Sequence, residues 1–222
     1  MGSNRGTTTP DALGTLLTPS RLRSYVDATP DLRRALDLYE WNMRASAGVM
    51  ELVGIVEVVA RNALDRELST WVGRRHPDST WFDQVRLDAR GRSDLAKARG
   101  RATRNGRRPE VHGRVVAELT FGFWRYLVES RYLTTLWIPV LHAAFPHGPD
   151  DLLTRQREVR ARLQQLHFVR NRAAHHEPVH ERDLGRDQHD AIELLGWIHP
   201  AAAGWAEDVT SLRTVLSARP SA

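Results

Sequence analysis

Cysteine is absent from this chain of 222 residues, and so are long hydrophobic runs. A chain without cysteine cannot form disulfides, thiolate metal sites or iron–sulfur clusters, and it cannot use a cysteine nucleophile. No apolar stretch approaches the ~18 residues that a membrane-spanning helix needs. The first 18 residues also lack the charged and then apolar pattern of a secretory signal. We therefore expect a soluble, cytoplasmic protein that does not associate with membranes.

Lysine is almost absent, because Lys97 is the only lysine among 32 basic residues. The net charge is +5, but residues 86–108 contain nine cations and two anions, so this segment carries +7 and the rest of the chain −2. Arginine suits planar, bidentate contact with phosphate better than lysine does. The segment is either a solvated helix face that runs into a flexible loop, or a surface that binds a nucleic-acid backbone. Its cations are Arg86, Arg90, Arg92, Lys97, Arg99, Arg101, Arg104, Arg107 and Arg108.

Strand-like alternation of polar and apolar residues is also missing, whereas helical periodicity recurs from residue 19 onward. We predict a disordered tail over residues 1–18 and a single all-α domain over residues 19–220, a helical bundle with additional helices and a basic insertion over 86–108. The predicted helices cover residues 19–27, a segment that begins near Pro30, the buried central helix 49–68, and then 81–104, 111–132, 151–176, 186–198 and 200–216, with a shorter apolar segment over 133–145.

One motif in the segment LHFVRNRAAHHEPVH matches H-E-x-x-H, the zinc metalloprotease pattern, through His176, Glu177 and His180. In that pattern both histidines bind zinc from one face of a continuous helix, and the glutamate acts as general base. Pro178 lies between the two histidines and is expected to end the helix there. A zinc hydrolase that uses His176 and His180 is therefore a remote alternative.

The same segment contains R-N-x-x-x-H, formed by Arg170, Asn171 and His175. On a helix, Asn171 and His175 share one face, and the long side chain of Arg170 can reach toward them. An imidazole can take a proton from a ribose 2′-OH or deliver one to the leaving 5′-oxygen near neutral pH. A guanidinium can stabilise the charge that builds on a pentavalent phosphorus. The pattern therefore favours phosphodiester cleavage without a metal or other cofactor, although an Arg/His cluster at a helix end can also simply complement the helix dipole.

Several blocks resemble, in order, the Abi-like (abortive infection) family of the HEPN ribonuclease superfamily, from about residue 17 to residue 220. The blocks are LTPSRLRSYV, ALDLYEWNMRASAGVMELVGIVEVVARNALDREL, LTFGFWRYL, TLWIPVLHAAFP, RNRAAHHEP and GWIHP. The resemblance implies a HEPN-type helical domain that forms a homodimer, with two R-x4-H motifs facing one cleft. It implies RNA cleavage that leaves a 2′,3′-cyclic phosphate and halts growth during phage infection. It also implies a partner, either a regulatory noncoding RNA or an antitoxin.

Carried over by position, the resemblance makes Arg170 and His175 the catalytic pair, supported by Asn171. His176 and Glu177 match the HHE extension of the family. The resemblance leaves open a non-catalytic module of the same fold, which binds RNA without cleaving it.

Three further groups each have two interpretations. Glu57, Arg61 and Asp65 recur every four residues, as a column of salt bridges would, but Glu57, Arg61 and Asn62 also match a family block that would line the cleft. Phe121, Phe123 and Trp124 are aromatic residues on one predicted helix, and they are expected in the core. Aromatic rings can also stack on the bases of a nucleic acid. His167 precedes His175 by two turns, so it could approach the site, but an isolated surface histidine is the expected interpretation.

Overall fold

The computed structural model describes residues 9–221, and within that range it contains helices and turns but no strand. The all-α class predicted from the sequence is confirmed. None of the described helices is both long and apolar enough to cross a membrane. The helices are α1 (Pro10–Leu17), α2 (Pro19–Asp27), α3 (Leu32–Gly73), α4 (Trp81–Gln84), α5 (Ala89–Ala102), α6 (His112–Glu118), α7 (Phe121–Leu127), α8 (Leu152–Ala174), α9 (Leu184–Ile198), α10 (Pro200–Val209) and α11 (Leu212–Ser217). Two 3₁₀ turns (Ser130–Tyr132 and Leu141–Ala144) and a π-helical turn (Leu133–Trp137) lie between α7 and α8.

The N-terminal region contains a helix where the sequence predicts disorder over residues 1–18. Helix α1 begins at Pro10, and the hydroxyl of Thr9 accepts a hydrogen bond from the Ala12 N–H at 3.4 Å. Proline suits the first turn because its missing N–H would have no partner there. The disorder prediction is therefore wrong for residues 10–17, and its remaining part, residues 1–8, lies outside the described residues.

Helix α3 is a single element of 42 residues, about 63 Å long, where the sequence predicts two helices. Gly48 directly precedes residue 49, where the central helix is predicted to begin, but it lies inside the continuous helix α3. A Cβ atom at this position would be 3.0 Å from the Cα atom of Leu212. Glycine is thus present because α11 approaches the backbone of α3 closely, and not because the helix ends.

Two other predicted helices are divided. The segment 81–104 breaks into α4 and α5, since the Asp88 carboxylate caps α5 by accepting from the Gly91 N–H at 2.8 Å. The segment 111–132 breaks into α6 and α7, where the Thr120 hydroxyl accepts from the Phe123 N–H at 3.4 Å. In each case a capping side chain starts a new helix at a point where hydrophobic periodicity alone predicts one continuous helix.

Helix α3 is the centre of the fold and packs against α2, α8, α9 and α11. Helix α8 lies between α3, α7 and α9, so its side chains reach three neighbouring helices. The aromatic residues of α7 are in the core, as predicted: Phe121, Phe123 and Trp124 are all buried. This packing fixes α8 in place and leaves its C-terminal end at the surface.

Candidate functional site

The C-terminal end of α8 is a tight turn that carries two adjacent histidines. The Glu177 N–H donates to the Arg172 carbonyl at 2.8 Å, and the His176 N–H donates to the Ala173 carbonyl at 3.1 Å. These two bonds form a Schellman motif, which places the residue after the helix cap in the left-handed region. That residue is His176, with a φ of 57°. Glycine usually takes this position, so the histidine is held in a conformation that side chains disfavour.

Hydrogen bonds hold this turn against α8 and α3. The Arg172 guanidinium donates to the Pro178 carbonyl from Nε at 3.1 Å and from Nη2 at 2.7 Å. The next residue, Val179, donates its N–H to Oδ1 of Asn42 at 2.8 Å, and Asn42 is buried on α3. The exposed imidazoles at 175 and 176 therefore project from a rigid backbone.

The predicted catalytic residues are placed close together along α8, but they contact one another unequally. Arg170 is half-buried and donates from Nη1 to Oδ1 of Asn171 at 3.3 Å. His175 is exposed, and its backbone N–H donates to the Asn171 carbonyl at 2.9 Å. Among residues 9–221, no hydrogen bond or ion pair joins the side chains of Arg170 and His175. Arg170 and His175 are five residues apart, which places them about 140° from each other around the helix axis. The guanidinium can approach the imidazole only because the arginine side chain is long.

Asn171 instead turns its amide toward His167, one turn earlier. The Nδ2 atom of Asn171 lies 3.5 Å from Nε2 of His167. The His167 ring packs on the Phe121 ring, with 5.7 Å between centroids, and a Cβ at Gly122 would be 3.5 Å from Nε2. His167 is therefore half-buried between α7 and α8, and the expectation of an isolated surface histidine is wrong. The signal in the sequence was the four-residue spacing of His167, Asn171 and His175.

The surroundings of His167 are strongly cationic. Burial lowers the pKa of His167, and the positive charges of Arg125, Arg170 and Arg90 lower this pKa further. Arg90 belongs to the basic segment 86–108, so part of that segment lies near the motif on α8. Sequence reasoning missed Arg125, because only the packing of α7 on α8 brings it there.

The remaining cations of the segment 86–108 do not form one surface of free charge. Arg99 pairs with Asp83 at 2.8 Å and with Glu110 at 2.9 Å, while Arg101 pairs with Glu118 at 2.7 Å. Arg92 donates to the carbonyl of Leu87, just before its own helix. Five exposed cations make neither an ion pair nor a side-chain hydrogen bond within the part of the chain that the structure describes: Arg86, Lys97, Arg104, Arg107 and Arg108.

The predicted salt-bridge column on α3 is wrong. Asp65 accepts hydrogen bonds from Trp81 Nε1 at 2.7 Å and from His112 Nε2 at 2.8 Å, so its charge faces α4 and α6. Arg61 has a buried Nε without a hydrogen-bond partner among residues 9–221, and no ion pair joins it to Glu57 there. Asn62 is exposed, and among residues 9–221 no hydrogen bond or ion pair joins Glu57, Arg61 or Asn62 to the motif on α8.

The two histidines of H-E-x-x-H lie in different surroundings. The helix ends before them, as Pro178 predicts, so they do not share a helix face. His180 is buried, with its Nε2 3.3 Å from the Ser24 hydroxyl and its ring centroid 4.7 Å from that of Tyr25. This burial lowers the pKa of His180. The side chain is packed against α2 and does not point with His176 toward one ion, so the geometry of a zincin is not formed.

No known family model, curated protein or solved structure matches the chain.

A cleft of about 430 Å³ lies beside His176, between α3 and the end of α8. Its walls are mostly apolar, and they include Tyr39, Met43, Met50 and Ala174. A larger cleft, of about 680 Å³, lies between α1 and α2, away from the motif. The cleft beside His176 therefore adjoins the turn that carries the two exposed histidines.

The end of α8 thus combines exposed imidazoles with a guanidinium whose nearest partner is a neutral amide. Imidazole can accept and donate protons near neutral pH, and guanidinium stabilises a phosphorane as its charge develops. These groups can assist the attack of a ribose 2′-oxygen on the adjacent phosphorus and the departure of the 5′-oxygen.

Proposed function

We propose that the protein is an endoribonuclease of the HEPN type that cleaves RNA without a metal ion. The observation that supports it best is the turn at the end of α8, which fixes the exposed His175 and His176 one turn beyond Arg170 and Asn171. The resemblance to Abi-like proteins supplies the biological role in this proposal: a cytoplasmic toxin that halts growth during phage infection. A regulatory noncoding RNA or an antitoxin would restrain it.

In the proposed reaction, an imidazole at the turn takes the proton of a ribose 2′-OH. The 2′-oxygen then bonds to the adjacent phosphorus as the bond from phosphorus to the 5′-oxygen breaks, and a second protonated group delivers a proton to that 5′-oxygen. The products are a 2′,3′-cyclic phosphate and a free 5′-hydroxyl. Arg170 stabilises the negative charge of the phosphorane, and Asn171 orients Arg170 through the 3.3 Å hydrogen bond.

A homodimer would supply the second imidazole. Helix α3 exposes a stripe of apolar and small residues next to His176, formed by Met43, Ala47, Met50, Gly54 and Val58. Such a stripe on a protein surface favours burial against another chain. A second copy seated there would place two motifs in one cleft, and each could contribute a histidine.

A second candidate function is a module of the same fold that binds RNA and does not cleave it. The observation that favours it is the absence of a hydrogen bond or ion pair between the side chains of Arg170 and His175 within residues 9–221, together with the cations around His167. These groups can bind phosphate without carrying out proton transfer.

The test is incubation of the purified protein with RNA in EDTA, alongside Arg170→Ala, His175→Ala and the control Arg213→Ala, an exposed arginine on α11. We expect EDTA-resistant cleavage with cyclic-phosphate ends that both motif variants lose and the control retains. RNA binding without cleavage would favour the module. Cleavage that EDTA abolishes would contradict the metal-independent reaction.

A further inference from the structure

Three guanidinium groups from three helices lie around the imidazole of His167. Arg90 comes from α5, Arg125 from α7 and Arg170 from α8, and each is close enough to lower the His167 pKa by its charge. Like charges repel one another, so a folded protein gains nothing by this convergence unless anions neutralise it.

The carboxylates neutralise this cluster only partly. Glu129 accepts a hydrogen bond from Arg125 at 2.6 Å, but it also lies 3.7 Å from a further arginine, Arg160. Asp94 is 3.8 Å from Arg90, whose side chain is 58% exposed, so this pair is weak. Arg170 has a neutral amide as its hydrogen-bond partner. The Nε atom of Arg125 is buried without a hydrogen-bond partner among residues 9–221.

The face of α7 that meets His167 carries no side chain at Gly122. Gly122 has no Cβ, and one added there would lie 3.5 Å from His167 Nε2 and 3.6 Å from the Thr120 hydroxyl. One turn after Gly122 on α7, the centroid of the Tyr126 ring lies 4.1 Å from the guanidinium carbon of Arg90. Stacking on the ring holds the arginine in place while its N–H groups remain free to donate.

We propose that Arg90 and Arg125, with His167 and Asn171, form a binding site for a phosphodiester group of a polynucleotide, beside Arg170, which in the proposed reaction contacts the phosphate that is cleaved. His167 precedes His175 by eight residues, about 12 Å along the helix axis, so this phosphate is not the one that is cleaved but one that flanks it. The site orients the strand across α8 toward the histidines of the turn. The choice of ligand rests on the proposed function, whereas the anion site itself rests on the arrangement of the side chains.

The binding test uses a DNA hexanucleotide, because without a 2′-OH it binds but cannot be cleaved by the proposed reaction. The His167 ring signal is followed by NMR through a pH titration and is assigned by its loss in His167→Asn. A bound phosphate favours the charged imidazole, so the oligonucleotide should raise the pKa of His167. Arg90→Gln should weaken binding about tenfold, and the exposed control Arg213→Gln should leave the affinity unchanged.

Gly122→Ala is a second variant that changes no charge. Its methyl group would make ordinary van der Waals contact with His167, so the fold should persist while the approach of a phosphate is hindered. Weaker oligonucleotide binding is the expected result. An unchanged affinity in both Gly122→Ala and Arg90→Gln would overturn the proposal.

Inorganic phosphate serves as a separate probe for the source of the ligand. If it raises the pKa of His167 as effectively as the oligonucleotide at equal phosphate concentration, the site binds free anions and the polynucleotide assignment is wrong. If the oligonucleotide raises this pKa but RNA is never cleaved, the result supports the phosphate site and contradicts the proposed nuclease activity. If His175-dependent cleavage occurs but the oligonucleotide does not change the pKa of His167, the result supports the nuclease activity and contradicts this phosphate site.

Discussion

The Arg172 guanidinium and the Pro178 carbonyl are joined by two hydrogen bonds, from Nε at 3.1 Å and from Nη2 at 2.7 Å. Arg172 also lies 3.5 Å from the carboxylate of Glu177, inside the same turn. One side chain of α8 thus bridges the whole segment that carries the adjacent histidines. In the proposed nuclease, Arg172 is a positioning residue, because it acts on the substrate only through the turn.

Arg172→Gln should lower the catalytic rate of RNA cleavage about tenfold and leave oligonucleotide affinity nearly unchanged. The loss of the two bonds to Pro178 should also lower the free energy of unfolding by about 1–2 kcal/mol. Single-turnover cleavage, fluorescence anisotropy and urea unfolding measure the three quantities. Arg157→Gln is the matched control on the same helix, since among the described residues the Arg157 side chain donates its hydrogen bond to Thr154, one turn away. Full cleavage by Arg172→Gln would refute the positioning role.

His176→Gly should stabilise the protein relative to His176→Ala by about 1 kcal/mol. The reason is the φ of 57° at this position, which glycine adopts without strain and alanine does not. Urea unfolding of the two variants measures the difference. Because both lose the imidazole, any change in cleavage common to them reports the side chain rather than the backbone. Equal stabilities would contradict the strained turn.

His180 should make stability depend on pH. Burial lowers its pKa below the ordinary value of 6.5, with a small opposing effect of Glu181 and a small further lowering by Arg219. The unfolded chain therefore binds more protons in this range, and stability is lost as the pH falls from about 6.5 toward the lowered pKa. Below that pKa the loss is complete and stays constant.

His180→Asn should therefore reduce the dependence of the unfolding free energy on pH between 7 and 5. The lowered pKa of His167 acts in the same direction, so part of the dependence should remain. Ser24→Ala removes the hydrogen-bond partner of His180 but leaves the histidine buried, and it should retain the wild-type slope. Urea unfolding at a series of pH values is the measurement. A wild-type slope in His180→Asn would contradict the argument.

Met43→Glu should prevent the proposed dimer. The Met43 side chain is 58% exposed in the stripe on α3, so a carboxylate is tolerated by one chain but would be buried between two. Sedimentation velocity should show a dimer for the wild type and a monomer for the variant. Leu153→Glu, at an exposed position near the start of α8, is the control and should remain dimeric. A monomeric wild type would contradict the dimer itself.

The candidate site was only partly predictable from the sequence. Helix α8 follows the prediction to within two residues, and Pro178 correctly predicts that it ends before the second histidine of H-E-x-x-H. These features depend on local backbone chemistry, which neighbouring residues determine. The contacts of Arg170 and Asn171 with one another, and of Asn171 with His167, depend on side-chain rotamers that spacing along a helix does not specify.

By itself, the sequence determined the helical class, the capped helix that carries R-N-x-x-x-H and the buried aromatic residues of α7. Hydrophobic periodicity, helix caps and proline act over a few neighbouring residues, so their effects can be predicted from the sequence without knowledge of the tertiary structure. Only the tertiary structure decided that Gly48 continues α3, that Asp65 binds Trp81 and His112, and that Arg90 and Arg125 meet beside His167. Each of these depends on which helices pack together, because residues far apart in the chain compete for the same partners and only packing selects among them.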